Sequence, residues 1–359
     1  MAKMEQNSGA RADSSSRRPW GKAGGVLALL VIAVALMRYL LPADSARLDL
    51  SLPWNPREFH TLNAARYARL IAERTDGRVK IVVHPAAVLG IKGPGSLGAV
   101  ERGAVAMVEM AAFQQSGEEP LFGLDSLPFL VRNRRELRLL LDSMRPLIEQ
   151  RLARRGLALI YMVPWPAQNI FADRPLRRLE DFRGLRVRTL DANTTRLARA
   201  LAMAPMQLAS ADVVPALASG ALDAVMTSTT TAAAQQYWQF LCCIHRTNHG
   251  WVTNYLVVRR RALQSLSPED RTLLFRLGQS LEEEFWAASR RDDAEKRRLL
   301  IARGMRDIPL SAPLRQQLEA RARPLWHDFA NRVPQARPLI DDFLLETGRQ
   351  PLGRAEEDA

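Results

Sequence analysis

The stretch that most constrains this fold runs from Ser267 to Gly304. Ser267-Pro268-Glu269-Asp270 is a complete helix start: a serine N-cap, proline at the first helical position and acids in the first turn. Leu274, Leu277, Leu281 and Phe285 then recur on one face, and the run continues to Gly304. A helix of about 35 residues is about 50 Å long, roughly three times the usual number of residues. Such an element needs a large body to lie against, and it follows a region of alternating short strands and helices. A helix of that length placed after two α/β units can brace both of them.

The strand and helix signals before it come in two series. Residues 48–54 (LDLSLPW) read as a strand. The next segment puts Ala64, Tyr67, Ala68, Ile71 and Ala72 on one helical face, with Gly77 closing it. Residues 79–85 read as a second strand ended by Pro85, and 104–112 as a third. A glycine-rich loop, LGIKGPGSLG, stands between them and reads as a turn before a short helix. A helix from Arg134 to Arg155 carries Leu137, Leu140, Leu141, Met144 and Ile148, and residues 157–163 form a further strand. The rhythm then repeats: strand 185–188, a helix from Asn193 to Leu201, a helix in ASADVVPALASG, and strand 221–228. Beyond Val258 the pattern is almost wholly helical. The expectation is an α/β fold of two lobes with a ligand cleft between them and a long bracing C-terminal helix. Lobe I takes residues 47–165 with parts of about 254–293, and lobe II takes 166–253 with parts of about 294–350.

The ends and the charge narrow the class. Lys3, Arg11, Arg17, Arg18 and Lys22 precede an apolar run from Gly24 to Met37. As a helix that run spans about 21 Å, short of a hydrocarbon core of about 30 Å, and it suits an export signal. Arg17-Arg18 resembles a twin-arginine signal, and Ala43-Asp44-Ser45 offers a cut before Ala46. Residues 1–46 are therefore expected to be an export signal or an N-terminal anchor, and the protein periplasmic. The formal net charge is +13, but the arginines are spread along the chain without a basic run interleaved by aromatics, so nucleic acid is not an expected partner. The 47% apolar content supplies a substantial core.

Catalytic and cofactor constellations are missing from the pattern. No P-loop or GxSxG occurs, and none of the five histidines has HExxH or HxH spacing. His245 and His249 are four apart, but Asn248 and Gly250 argue against a helix there. The two cysteines, Cys242 and Cys243, are adjacent. Neighbours rarely bridge, because the bond strains the peptide between them, so a buried free pair is expected. Neither an enzyme, a metal site nor a bound cofactor is expected.

Four segments in order resemble the substrate-binding proteins of tripartite ATP-independent periplasmic (TRAP) transporters, the DctP family: residues 60–90, GLDSLPFLVR (123–132), RPLRRLEDFRGLRVR (174–188) and ADVVPALASGALDAV (211–225). The resemblance implies a two-lobed binder that closes on a small organic acid and delivers it to a membrane permease. It places the family's carboxylate-binding arginine at Arg188, the end of GLRVR, while Arg186 falls on a variable position. A guanidinium matches a carboxylate with two parallel hydrogen bonds, which lysine cannot do. The sequence departs from the family at a second contact position, which is Gln168 here, and at Asp191, where asparagine is frequent. Met226, Thr227 and Ser228 replace a more polar run. These departures suggest a monocarboxylate with an apolar or aromatic body, held by Arg188 with Gln168, Asn169, Thr227 and Ser228. Asp191 would pair with Arg188 or read a ligand amino or hydroxyl group, and Lys92 is the available second cation. Trp165, Phe171, Tyr237, Trp238 and Trp251 fall near the cleft, each reading first as core packing. The alternative is a sensor or scaffold on the same fold that signals to a membrane partner.

Overall fold

The computed structural model describes residues 45–353. The export segment expected over residues 1–46 lies, apart from its last two positions, outside the described residues.

The chain begins with a β-α-β unit. Strand β1 (Ala46–Ser51) and strand β2 (Val79–His84) run parallel, in register from Ala46 opposite Val79 to Ser51 opposite His84. Helix α1 (Phe59–Arg74) connects them and buries Ala64, Tyr67, Ala68 and Ile71 against the sheet. The helix stops because Asp76 and Gly77 both take positive φ, and Gly77 N donates to Ala72 O. The short helix α2 (Ser96–Arg102) leads into β3 (Met107–Ala111). Helix α3 (Arg134–Arg154) starts on Asn133, whose side chain accepts from Glu136 N, and buries the expected stripe from Leu137 to Ile148. The fully buried β4 (Leu157–Pro164) follows. With the later β10 (Thr253–Arg259), these strands form a five-stranded sheet in the order β2-β1-β3-β10-β4, in which β10 is antiparallel to both neighbours.

A second sheet has the order β11-β9-β5-β8-β6-β7. Its strands are β5 (Gln168–Ala172), β6 (Arg186–Thr189), β7 (Ala204–Gln207), β8 (Ala224–Thr227), β9 (Cys243–Gly250) and β11 (Arg306–Pro309). Helices α4 (Ala192–Ala200), α5 (Ser210–Ala218) and α6 (Thr229–Ala234) are interleaved with them. Each sheet with its helices forms one lobe. The chain passes from the first sheet to the second at residues 165–167 and returns at 251–252.

Helix α7 (Pro268–Ala302) is the long helix read from the sequence, N-capped by Ser267. It packs on α1 and β4 of the first lobe and on α6 of the second, so it braces both. Two contacts fix its seat. At Gly278 an added Cβ would stand 2.3 Å from Ile160 Cγ2 and 3.0 Å from Ile160 O, so helix and strand approach there as only glycine allows. Four residues on, the buried Glu282 carboxylate accepts from Arg138, from Arg145 and from Met162 N. Helices α8 (Ala312–Arg332) and α9 (Ala336–Glu346) then lie against α4 and α3 respectively, and Trp326 Nε1 donates to Pro128 O at 2.8 Å.

Two expectations need correction. The almost wholly helical pattern beyond Val258 omits one strand, because residues 306–309 add edge strand β11 to β9. Cys242 and Cys243 are joined as a disulfide rather than free. Cys242 precedes the regular strand and is pinned from both sides: its N donates to Ala172 O and its carbonyl accepts from Arg306 N. The Arg306 guanidinium donates to both sulfurs. Local geometry imposed by neighbouring strands thus overrides the intrinsic reluctance of adjacent cysteines to bridge.

Candidate ligand-binding site

In an open α/β sheet, loops at the carboxyl ends of parallel strands converge into a crevice. Here that happens twice, face to face. A cavity of about 110 Å³ lies where β1 and β3 of the first lobe and β6 and β8 of the second lobe end. The first lobe contributes Trp54, Phe113 and Gln114. The second contributes Arg188, Leu190, Ser210, Thr227, Ser228 and Thr231. The crossing segments add Trp165, Gln168 and Val252.

Among the described residues, Arg188 is the only charged side chain on this wall. Its strand alternates: Arg186 is exposed and ion-paired with Asp223, whereas Val187 is buried in the core. Arg188 follows and is buried, the residue 7% exposed. Strand β6 lies between β7 and β8, and the guanidinium is held from both sides. Nε donates to Leu208 O at 3.1 Å, and Nη1 donates to Met226 O at 3.2 Å. Among the described residues, no carboxylate lies within 4.0 Å of it. Burial pulls its pKa down, and the nearby Tyr237 and Asp191 oppose that shift. A buried guanidinium with no carboxylate in ion-pair contact, anchored by two neutral carbonyls, has the chemistry to pair with an anion.

Gln168 opens β5 on the same wall. Its Nε2 donates to Pro166 O at 3.1 Å, and its Oε1 is buried without a donor. Thr227 ends β8, and Ser228 caps α6 by accepting from Thr231 N. Thus four of the six residues singled out from the sequence, Arg188, Gln168, Thr227 and Ser228, meet at one cavity.

Asn169 and Asp191 are buried nearby but do not line it. Asn169 points the other way along the pleat: Nδ2 donates to Ala167 O and Oδ1 accepts from Asn248 N, which ties β5 to β9. Asp191 is the N-cap of α4. Its Oδ1 accepts from Thr194 N at 2.8 Å and its Oδ2 accepts from Ser126 Oγ at 3.0 Å. Asn193 Nδ2 donates to Gly123 O and to Ser126 Oγ, completing a link between segment 123–126 and α4. Asp191 therefore makes no ion pair with Arg188. Burial raises its carboxyl above the usual range, opposed by these hydrogen bonds and by the Arg188 charge. Lys92 does not line the cavity either. Of the five aromatic candidates only Trp165 does, with Nε1 donating to Asn254 Oδ1 at 2.8 Å. The first-lobe wall of Trp54, Phe113 and Gln114 was not foreseen, because these residues stand in irregular loops and short turns where no period marks them.

His245 and His249 fall on strand β9. His245 Nε2 meets Arg174 O and Leu176 N, and His249 Nδ1 meets Thr247 Oγ1. Among the described residues, no helix is long and apolar enough to cross a membrane.

Two α/β lobes joined by crossing strands and one long helix, with an unpaired buried arginine at the facing strand ends, define a two-lobed solute-binding architecture. The sequence profile of the bacterial extracellular solute-binding proteins, family 7 (DctP), matches residues 51–332, and the chain belongs to that family. Two similar solved structures are the extracytoplasmic solute receptors DctP7 and DctP6 of Bordetella pertussis, each binding pyroglutamic acid. DctP7 is 27% identical with a TM-score of 0.78, over 83% of this chain and 99% of that one. DctP6 is 25% identical with a TM-score of 0.79, over 84% and 99%. Among curated proteins, an uncharacterized protein of Salmonella typhimurium, YiiZ, is 24% identical over 57% of this chain and 63% of its own length, a little under two thirds of it. A solute-binding protein of Albidiferax ferrireducens is 21% identical over 79% of this chain and 85% of its own.

Proposed function

We propose that this chain captures a small monocarboxylic acid in the periplasm through Arg188 and presents it to a TRAP-type membrane permease. The observation that carries this reading is the buried, carbonyl-anchored Arg188 guanidinium on the cavity wall, with no carboxylate of the described residues within 4.0 Å to pair with it. An incoming carboxylate supplies that charge where water is largely excluded, so the pair gains more than it would on a surface. One cation on the wall matches one carboxylate. The volume of about 110 Å³ is below the roughly 300 Å³ at which common ligand pockets begin, which favours a compact acid. Trp54, Phe113, Trp165 and Val252 offer it an apolar bed, with Thr227 and Ser228 as hydroxyl neighbours. The pyroglutamic acid bound by the two Bordetella receptors has this size and charge, and it heads the panel to test.

The test is thermal unfolding of the chain from Ala46 onward with monoacids, dicarboxylates, sugar acids and amino acids, beside Arg188→Ala. A ligand at a hundred times its dissociation constant adds about 2.7 kcal/mol to the folded state. A monoacid should raise the melting temperature of the wild type and not of the variant. A ligand that shifts both proteins equally removes Arg188 from the site.

A further inference from the structure

Cys242 and Cys243 are the only cysteines of the chain, and they stand at the end of the second sheet away from the cavity. Strand β5 runs from Gln168 on the cavity wall to Ala172, which pairs with Cys243. The two members of the disulfide differ in access. Cys243 is fully buried, whereas Cys242, one residue before β9, is half-buried. A reagent arriving from solvent therefore meets the Cys242 sulfur first.

Arg306 faces the pair from edge strand β11, where it stands opposite Cys243 in the register. Its Nη2 lies 3.2 Å from Cys242 Sγ and 3.3 Å from Cys243 Sγ. Among the described residues, no carboxylate lies within 4.0 Å of this guanidinium. The other charged groups on the elements packed here have partners of their own. Asp307 lies 2.9 Å from Arg246 and 3.9 Å from Arg297. Asp173, which follows β5, lies 3.8 Å from Arg174, and Arg303 at the end of α7 stands over the Trp238 ring. Burial pulls the His245 imidazole down and the Arg306 charge adds to that, so His245 brings no positive charge to β9 at neutral pH.

In thiol–disulfide exchange a thiolate attacks one sulfur and the other leaves as a thiolate, faster when that thiolate is the more stable. An adjacent arginine stabilises a thiolate over its thiol. Here the accessible sulfur belongs to Cys242, the leaving one to Cys243, and Arg306 is placed to hold the charge that develops. We infer that Cys242–Cys243 is a thiol–disulfide exchange site, attacked at Cys242 by a dithiol and activated by Arg306. A thiolate of the dithiol bonds to Cys242 Sγ as the bond to Cys243 Sγ breaks, and Cys243 leaves as a thiolate that takes up a proton. The second thiol of the reagent loses its proton and displaces Cys242, which is protonated in turn. The dithiol ends as a disulfide, oxidised by two electrons, and the protein pair ends as two thiols.

The experiment is alkylation with iodoacetamide and mass measurement of the native full chain, before and after treatment with dithiothreitol. With two cysteines in the chain the readout has one source. Neither cysteine should be alkylated before reduction, and both should be after reduction at neutral pH without denaturant. Thiolate absorbance of the reduced protein, followed against pH, should place the first ionisation about one unit or more below the ordinary value of about 8.5. Arg306→Gln should return that ionisation toward the ordinary value and slow the reduction, and Arg306→Lys should fall between the two. Melting verifies that the variants fold. A substitution that merely loosened the strand edge would expose the disulfide and speed its reduction. Free thiols before treatment, resistance of the native protein to dithiothreitol, faster reduction of Arg306→Gln, or an ionisation that this substitution leaves unmoved would each overturn the inference.

Discussion

Replacing Asp125 with asparagine should change how the fold responds to pH. Asp125 lies between the 3-10 turn Pro120–Gly123 and α3, fully buried. Thr253 and Tyr255 on β10 and Asp191 at the start of α4 are the polar and titratable groups around it. Burial pushes its carboxyl up to about 7; the Asp191 charge adds to that, and Thr253 opposes it. In the unfolded chain the same carboxyl ionises near pH 3.9. Between those values the folded protein holds a proton that the unfolded chain has released, so stability falls as pH rises from about 4 to about 7. At roughly 1.4 kcal/mol per unit, about 2 kcal/mol is lost between about pH 5 and pH 7. His249 works in the opposite sense. Burial pulls its imidazole down to about 3, so its contribution is complete above the unfolded value of about 6.5 and is lost as pH falls through the window down to about 3. In the wild type the two slopes offset each other. Asparagine mimics the protonated acid and removes one of them. Urea unfolding across this range should show the variant gaining about 2 kcal/mol on the wild type from about pH 5 to pH 7. Glu58, which burial also raises to about 7, is present in both proteins and drops out of the difference. A difference that stays flat with pH would refute the argument.

Two further substitutions test how the lobes are held. Gly278→Ala drives a methyl into Ile160 and should destabilise the protein by about 1–3 kcal/mol, despite the better helix propensity of alanine; denaturant melts measure it, and a neutral or stabilising result would mean α7 does not seat on β4 so closely. Asp191→Asn keeps an acceptor for Thr194 N but removes a negative charge from the neighbourhood of Arg188. It should lower the melting temperature while leaving acid binding no weaker, and titration showing a large loss of affinity would make Asp191 a ligand contact after all.

Much of the architecture was legible because strong local signals agreed with the tertiary structure. The Ser267 cap and the stripe from Leu274 to Phe285 mark α7, and the apolar faces of α1 and α3 bury as their spacing implies. Strands β7 and β11 were not legible. Each is four residues long and lies at a sheet edge, exposed or half-buried, so neither carries an alternating pattern. Strand β9, with its histidines and Asn248, is polar in sequence, yet it is an interior, mostly buried strand between β5 and β11. The site divides in the same way. The place of Arg188, Gln168, Thr227 and Ser228 on the cavity wall was legible because they lie at or beside strand ends that a family resemblance aligns. Asn169 and Asp191 have the right chemistry one or a few residues away, but the pleat turns one aside and helix capping takes the other. Trp54 and Gln114 join the cavity wall only where the two lobes face each other, which no local pattern marks.

The central claim is that Arg188 holds a ligand carboxylate by the shape of its guanidinium and not by charge alone. Isothermal titration of pyroglutamate into the wild type and Arg188→Lys measures this directly. Loss of one of two charge-assisted hydrogen bonds, together with the altered anchorage on Leu208 O and Met226 O, predicts affinity weaker by about tenfold or more with stoichiometry unchanged. Equal affinity in the two proteins, both folded, would contradict the clamp.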